Sequence, residues 1–130
     1  MYPPRRILIA DDDPDIRTGA SDLLAGTGLV VLQAEDGTQA MELLNTDTPV
    51  HLALLDLQMP GFGGLELFQH MLDHDLRVPT ILWSGDAGVG VERFALDRGA
   101  SAFLHKPVPP KILRQQVLAV LESHWGPLHP

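Results

Sequence analysis

The chain has 130 residues, 45% of them apolar, with 17 acidic against 9 basic side chains and no cysteine. That apolar share predicts a folded chain rather than a disordered one, and the lack of cysteine excludes disulfides and thiolate metal sites. A net charge of −8 repels nucleic-acid phosphate, so direct nucleic-acid binding is not expected of this chain.

The sequence opens Met1-Tyr2-Pro3-Pro4-Arg5-Arg6, and only four apolar residues, Ile7–Ala10, precede three aspartates. Such a run is too short for a signal-peptide core, and Arg5-Arg6 is a poor export signal. No apolar run approaches the ~20 residues that cross a bilayer. A soluble, cytoplasmic protein without membrane contact is the expectation. Ile7–Ala10 itself reads as a first strand. Asp13 then caps a helix with Pro14 at its first position. Ile16, Ala20, Leu23 and Leu24 give that helix one buried stripe, and Gly26 and Gly28 end it. Leu29–Leu32 is the second strand. Ala40, Leu43 and Leu44 mark a second helix that stops before Pro49.

Leu52–Leu55 is the third strand. Gly63-Gly64 opens a third helix, marked by Leu65, Phe68, Met71 and Leu72. Thr80–Trp83 is the fourth strand. A fourth helix around Val91–Leu96 has a start weakened by Gly88 and Gly90. Ala102–Leu104 is the fifth strand, and Leu113, Val117, Val120 and Leu121 stripe a fifth helix behind Pro109-Pro110. Continuous apolar runs of this length fit strands buried on both faces of a parallel sheet. Five βα units in a row predict a doubly wound α/β sandwich. One domain is expected over residues 1–130, with a core at about 5–124. Residues 125–130 read as a tail or linker stub.

In open parallel sheets, ligands gather beyond the carboxyl ends of the strands. Asp11, Asp12 and Asp13 follow the first strand, and Asp56 the third. Ser84, Gly85 and Asp86 follow the fourth, and His105, Lys106 and Pro107 the fifth. Carboxylates brought together there repel each other, and a hard divalent cation relieves that repulsion. Mg²⁺ takes oxygen ligands and few protein carboxylates. With Lys106 as a second positive charge and Ser84 as a hydrogen-bond donor, the set suits phosphoryl transfer. One carboxylate would be the nucleophile. Asp56 is the hardest to read as an ordinary surface acid, because it interrupts the apolar stretch Leu52–Leu57. Asp13 alone reads as a helix cap.

Four segments carry a family resemblance: residues 7–17 (ILIADDDPDIR), 54–67 (LLDLQMPGFGGLEL), 81–85 (ILWSG) and 98–107 (RGASAFLHKP). In these, from about Arg5 to Leu121, the chain resembles the receiver domains of two-component response regulators, chemotaxis-regulator-like in kind. The resemblance implies a flavodoxin-like (βα)5 fold with strand order 2-1-3-4-5. It implies Asp56 as phosphoacceptor, and Asp12 and Asp56 with the Gln58 backbone carbonyl as Mg²⁺ ligands. Asp11 would hold the metal through water. It also implies Ser84 as switch hydroxyl, Lys106 as the phosphoryl-binding lysine, a cis bond between Lys106 and Pro107, and Phe103 as the aromatic that changes rotamer. Gln58 and Asp86 fall at two variable positions that modulate phosphate loss in such proteins.

The implied partners are a sensor histidine kinase or phosphotransfer protein, a downstream effector, and a phosphorylation-dependent homodimer. The implied activity is a switch rather than a turnover enzyme. Its readout surface would be the fourth helix, fifth strand and fifth helix. A receiver that binds partners without phosphorylation is the alternative, and the complete Asp11, Asp12, Asp56, Ser84 and Lys106 set argues against it. A haloacid-dehalogenase-type hydrolase needs an acid two residues after the nucleophile, where this chain has Gln58.

Departures and leftovers have plain readings. Trp83 reads as a core or sheet-flank aromatic. The glycines at the fourth helix make it either poorly built or a mobile switch element. His70 and His74 are spaced to chelate a metal but lack a third ligand, so exposed helix histidines are expected. His124 and His129 read as inert tail residues. Gly61-Phe62-Gly63-Gly64 lacks the spacing of a dinucleotide or P-loop motif.

Overall fold

The computed structural model describes residues 3–127, so His129 lies outside the described residues. Five strands, β1 (Arg6–Ala10), β2 (Val30–Ala34), β3 (Leu52–Asp56), β4 (Thr80–Ser84) and β5 (Ala102–His105), alternate with five helices. These are α1 (Pro14–Ala25), α2 (Gly37–Leu44), α3 (Gly64–Asp73), α4 (Val89–Asp97) and α5 (Pro110–Trp125). All strand pairs are parallel, in the order β2-β1-β3-β4-β5. The expected doubly wound, flavodoxin-like sandwich is what the chain adopts.

Each strand sends alternate side chains to opposite faces, so the sheet separates two cores. Leu8, Ala53, Leu55 and Leu82 pack beneath α2, α3 and α4. Ile7, Ile9, Leu54, Ile81 and Trp83 pack beneath α1 and α5. Only the inner strands are covered on both sides. Every residue of β3 and β4 is buried, whereas β2 and β5 are mostly half-buried. The expectation of five doubly buried strands is therefore corrected for the two edges. An apolar run states how hydrophobic a strand is, not where it sits in the order.

The helix starts follow local chemistry. The Asp13 carboxylate accepts from the Asp15 and Ile16 amides, capping α1 behind Pro14, and Asp36 caps α2 through the Gln39 amide. In α3 the buried stripe is Gly64, Leu67, Phe68 and Met71, spaced i, i+3, i+4, i+7. Leu65 and Leu72 fall on its flank, and Leu72 is exposed, so the expected stripe was rotated from the true one. Helix α4 begins earlier than the glycines suggested. Gly88 is its N-cap, with no side-chain hydrogen bond, and Ala95 is its one buried residue.

The amino edge of the sheet is closed by the residue before β1 and the last turn of α5. The Arg5 guanidinium donates to the carbonyls of Trp125 and Gly126 at 2.7 Å each. The Trp125 indole N–H donates to the His51 carbonyl at 2.8 Å, and the two rings meet edge to face. The His51 Nδ1 accepts from the Arg6 amide at 2.9 Å. Burial, then the charges of Arg5 and Arg6, hold His51 below its ordinary pKa of 6.5, which suits a neutral ring that accepts.

Candidate functional site: an acidic pocket at the carboxyl edge

The carboxyl ends of β1 and β3 place two aspartates side by side. Asp11 follows the last residue of β1, and its amide donates to the Ala34 carbonyl of β2 at 3.1 Å. Asp56 closes β3, in register with Trp83 of β4. Neither acid has room to turn away: Asp11 is 0% exposed and Asp56 4%. Asp12, the next residue, stays exposed. One carboxylate oxygen from each of Asp11, Asp12 and Asp56 lies within 4.8 Å of the others. Among the described residues, this is the one group of acids and histidines so arranged. His70 and His74 instead stack their rings at 4.0 Å.

Lys106 faces these acids. Its amide donates to the Ser84 carbonyl at 2.8 Å, fixing the backbone beyond β5, and the bond to Pro107 is cis, as expected. Its Nζ donates to Asp11 Oδ2 at 2.7 Å and lies 3.4 Å from Asp56 Oδ1. The nearer partner is thus Asp11, not the expected phosphoacceptor. Asp11 Oδ1 also accepts from the Asp13 amide at 2.9 Å, and Asp56 Oδ1 accepts from the Gln58 amide at 3.2 Å.

These bonds do not fully compensate Asp56. Burial, and then the charge of Asp11, push its carboxyl up from 3.8 to about 6, against the opposing pull of the Gln58 amide and Lys106. A second positive charge would relieve this pocket. Three oxygen donors, two of them buried, form a donor set that a small hard cation such as Mg²⁺ fits.

The loop behind Asp56 is folded tightly onto it. A Cβ on Gly64 would collide with the Asp56 carbonyl oxygen, and one on Gly37 would collide with Phe62. Glycine is therefore required at both approaches. Ser84 is buried at the end of β4, and its Oγ accepts from the Asp86 amide at 3.1 Å. Phe103 is half-buried on β5 against the α2–α4 core, its ring 5.2 Å from that of His105.

Reading the sequence missed three contributors. Arg17 donates to the Asp11 carbonyl at 2.7 Å and to Gln33 at 3.1 Å, pinning the turn that carries the acids. Glu92 of α4 meets His105 of β5, tying the loose helix to the edge strand beside Lys106. Trp83 is core, as expected, but it also presents its ring to Lys106. Arg17 lies one turn into a helix whose capping pattern was legible; the other two pairings depend on strand order.

A flavodoxin-like sandwich with three clustered carboxylates and a lysine at its carboxyl edge defines a class of signalling domain. The chain belongs to the response regulator receiver domain family, whose model matches residues 7–118. It is similar to the transcriptional activator protein ExaE of Pseudomonas putida, 32% identical over 91% of this chain and 56% of that protein. It is also similar to the transcriptional regulatory protein CpxR of Klebsiella pneumoniae, 34% identical over 93% of this chain and 51% of the relative. The chain thus spans about half the length of these curated relatives. Among solved structures, a CheY-like receiver domain protein from Methanospirillum hungatei superposes with a TM-score of 0.85 at 30% identity. That match covers 94% of this chain and 97% of the other. The receiver domain of the putative response regulator NarL from Mycobacterium tuberculosis gives 0.82 at 30% identity, over 93% and 99%. No described helix is long and apolar enough to cross a membrane.

Proposed function

We propose that this chain is a single receiver unit of a two-component system, accepting a phosphoryl group on Asp56 and passing the change to its α4–β5–α5 surface. The observation that carries the reading is the pairing of a buried, electrostatically uncompensated Asp56 with Lys106 and the acids at residues 11 and 12.

Ionising near 6, Asp56 is mostly a carboxylate at neutral pH, as a nucleophile must be. One of its oxygens forms a bond to phosphorus while the P–N bond of a phosphohistidine donor breaks. The electron pair leaves on the imidazole nitrogen, which takes up a proton. Lys106 neutralises charge on the phosphoryl oxygens, and Ser84 turns its hydroxyl toward them. Asp11, Asp12, Asp56 and the Gln58 carbonyl would hold Mg²⁺, which supplies further charge neutralisation when bound. Movement of Ser84 frees space beside β4 for the half-buried Phe103 ring, and α4, with one buried residue and no side-chain cap, shifts at low cost. A histidine kinase or phosphotransfer protein would be the donor. An effector, or a second copy of the chain, would read the surface, all in the cytoplasm.

Intact-mass measurement with a small phosphodonor and Mg²⁺ should show one added phosphoryl group, absent in Asp56→Asn. Mg²⁺ should raise the melting temperature, and Asp12→Ala should lose most of that rise. An equal mass gain in Asp56→Asn would overturn the assignment. With beryllofluoride as phosphoryl mimic, NMR shifts confined to the pocket, with residues 86–108 unchanged, would overturn the proposed readout.

A further inference from the structure

Trp83 occupies the position just before Ser84, and its side chain turns to the α1–α5 core, 3% exposed. A buried indole ordinarily finds a partner for its N–H. Among the described residues the Trp83 Nε1 is buried with none. Leaving a buried donor unpaired carries a desolvation penalty, so hydrogen bonding does not account for a tryptophan here. What the side chain does offer is the face of its ring. The Lys106 ammonium lies 4.8 Å from the ring centroid, inside the cation–π range of about 6 Å.

Lys106 is therefore held from three sides: by Asp11, by Asp56 and by the indole. The three holds are not equivalent. The pull of the carboxylates weakens when another cation shares them, and the pull on Lys106 from Asp56 changes when that oxygen is phosphorylated. The attraction of the ring arises from its quadrupole and is unaffected by either event. A lysine stem is flexible, and an open cavity of about 280 Å³, lined by Ile16, Trp83, Lys106, Pro107 and Leu113, lies beside it. Truncating the ring would widen that space and free the stem.

We propose that Trp83 is a positioning residue, its indole face holding the Lys106 ammonium toward Asp56. This rests on the phosphoryl-accepting reading of the site. It is tested by replacing tryptophan with its mono-, di- and trifluorinated analogues in a Trp125→Phe background, which leaves residue 83 as the sole indole. Fluorination drains the ring face with little change of shape. The rate of phosphoryl uptake from a small phosphodonor should fall with each added fluorine. Trp83→Leu should be about tenfold slower than wild type, and Trp83→Phe should lie between them. NMR gives a second readout with no phosphodonor present: the Lys106 ε protons should be shifted upfield by the ring current, and Trp83→Leu should abolish that shift. An uptake rate that is flat across the fluorinated series, or ε protons at ordinary positions in the wild type, would overturn the role. If the wild type takes up no phosphoryl group, the functional reading fails, while the ring-current shift still decides whether Trp83 holds Lys106.

Discussion

The two edges of the sheet handle charge in opposite ways. At the amino edge, Arg5, His51 and Trp125 each meet a backbone partner, and among the described residues the Arg6 Nε is the buried side-chain atom there without a partner. At the carboxyl edge, Asp11 and Asp56 are buried beside each other, and a single ammonium serves both. The first arrangement closes the fold. The second leaves an unmet demand for positive charge, which is what the proposed phosphoryl-accepting role would use. The same sheet therefore carries one end closed mainly by hydrogen bonds and one end short of positive charge.

The strongest way to break this contrast is to remove the shared ammonium. Lys106→Met should destabilise the protein by about 3 kcal/mol at neutral pH without divalent cations, because one charge then leaves two buried carboxylates unpaired. Urea unfolding measures it, and an unchanged midpoint would mean that solvent already screens the pocket. The next effect has the opposite sign. Asp56 ionises near 6 in the fold and near 3.8 when unperturbed. The folded state therefore holds that proton more tightly than the unfolded chain, and acidification from neutral pH stabilises this site. Asp56→Asn should be more stable than wild type by about 2 kcal/mol above pH 6, with the advantage closing as the pH falls toward 4. An advantage independent of pH would contradict the shift.

His51 at the amino edge works the other way. Its depressed pKa contributes stability above 6.5 that is lost as the pH falls through its lowered value. Acid thus relaxes one edge while loosening the other. The smallest expected effect is at that closed edge. Arg5→Ala removes two partly exposed hydrogen bonds to the end of α5 and should cost about 1 kcal/mol. Amide exchange should quicken in the last turn of α5 while the pocket is unaffected. Faster exchange at Asp11 would mean that the two edges are coupled.

Much of this is legible in the amino-acid sequence alone. Asp13-Pro14 marks a helix start wherever it occurs, and an aspartate following Leu52–Leu55 signals a buried charge whatever surrounds it. The order of residues along the chain carries both. Strand neighbours are a different matter. That β2 and β5 are edges, that Lys106 leans closer to Asp11 than to Asp56, and that Glu92 reaches His105 all depend on which strands lie side by side and in what register. The α3 reading misses in part because apolar residues were counted without fixing the face: Leu72 is exposed, Leu65 only packs against the core's margin, and the fully buried Leu67 was passed over. Trp83 was correctly placed in the interior, yet nothing about one aromatic letter discloses that its ring looks at a lysine 23 positions later.

The Arg5 guanidinium also brings the segment before the first strand within one side chain of the segment leaving the last helix. A fold whose two ends meet at one corner behaves like a closed loop with a seam. It can be cut at a surface turn and rejoined at the seam, or spliced into a loop of a host protein with both junctions side by side. The corner lies at the opposite edge from the acidic pocket. Splicing there would leave the acidic pocket and α4 on the side away from both junctions.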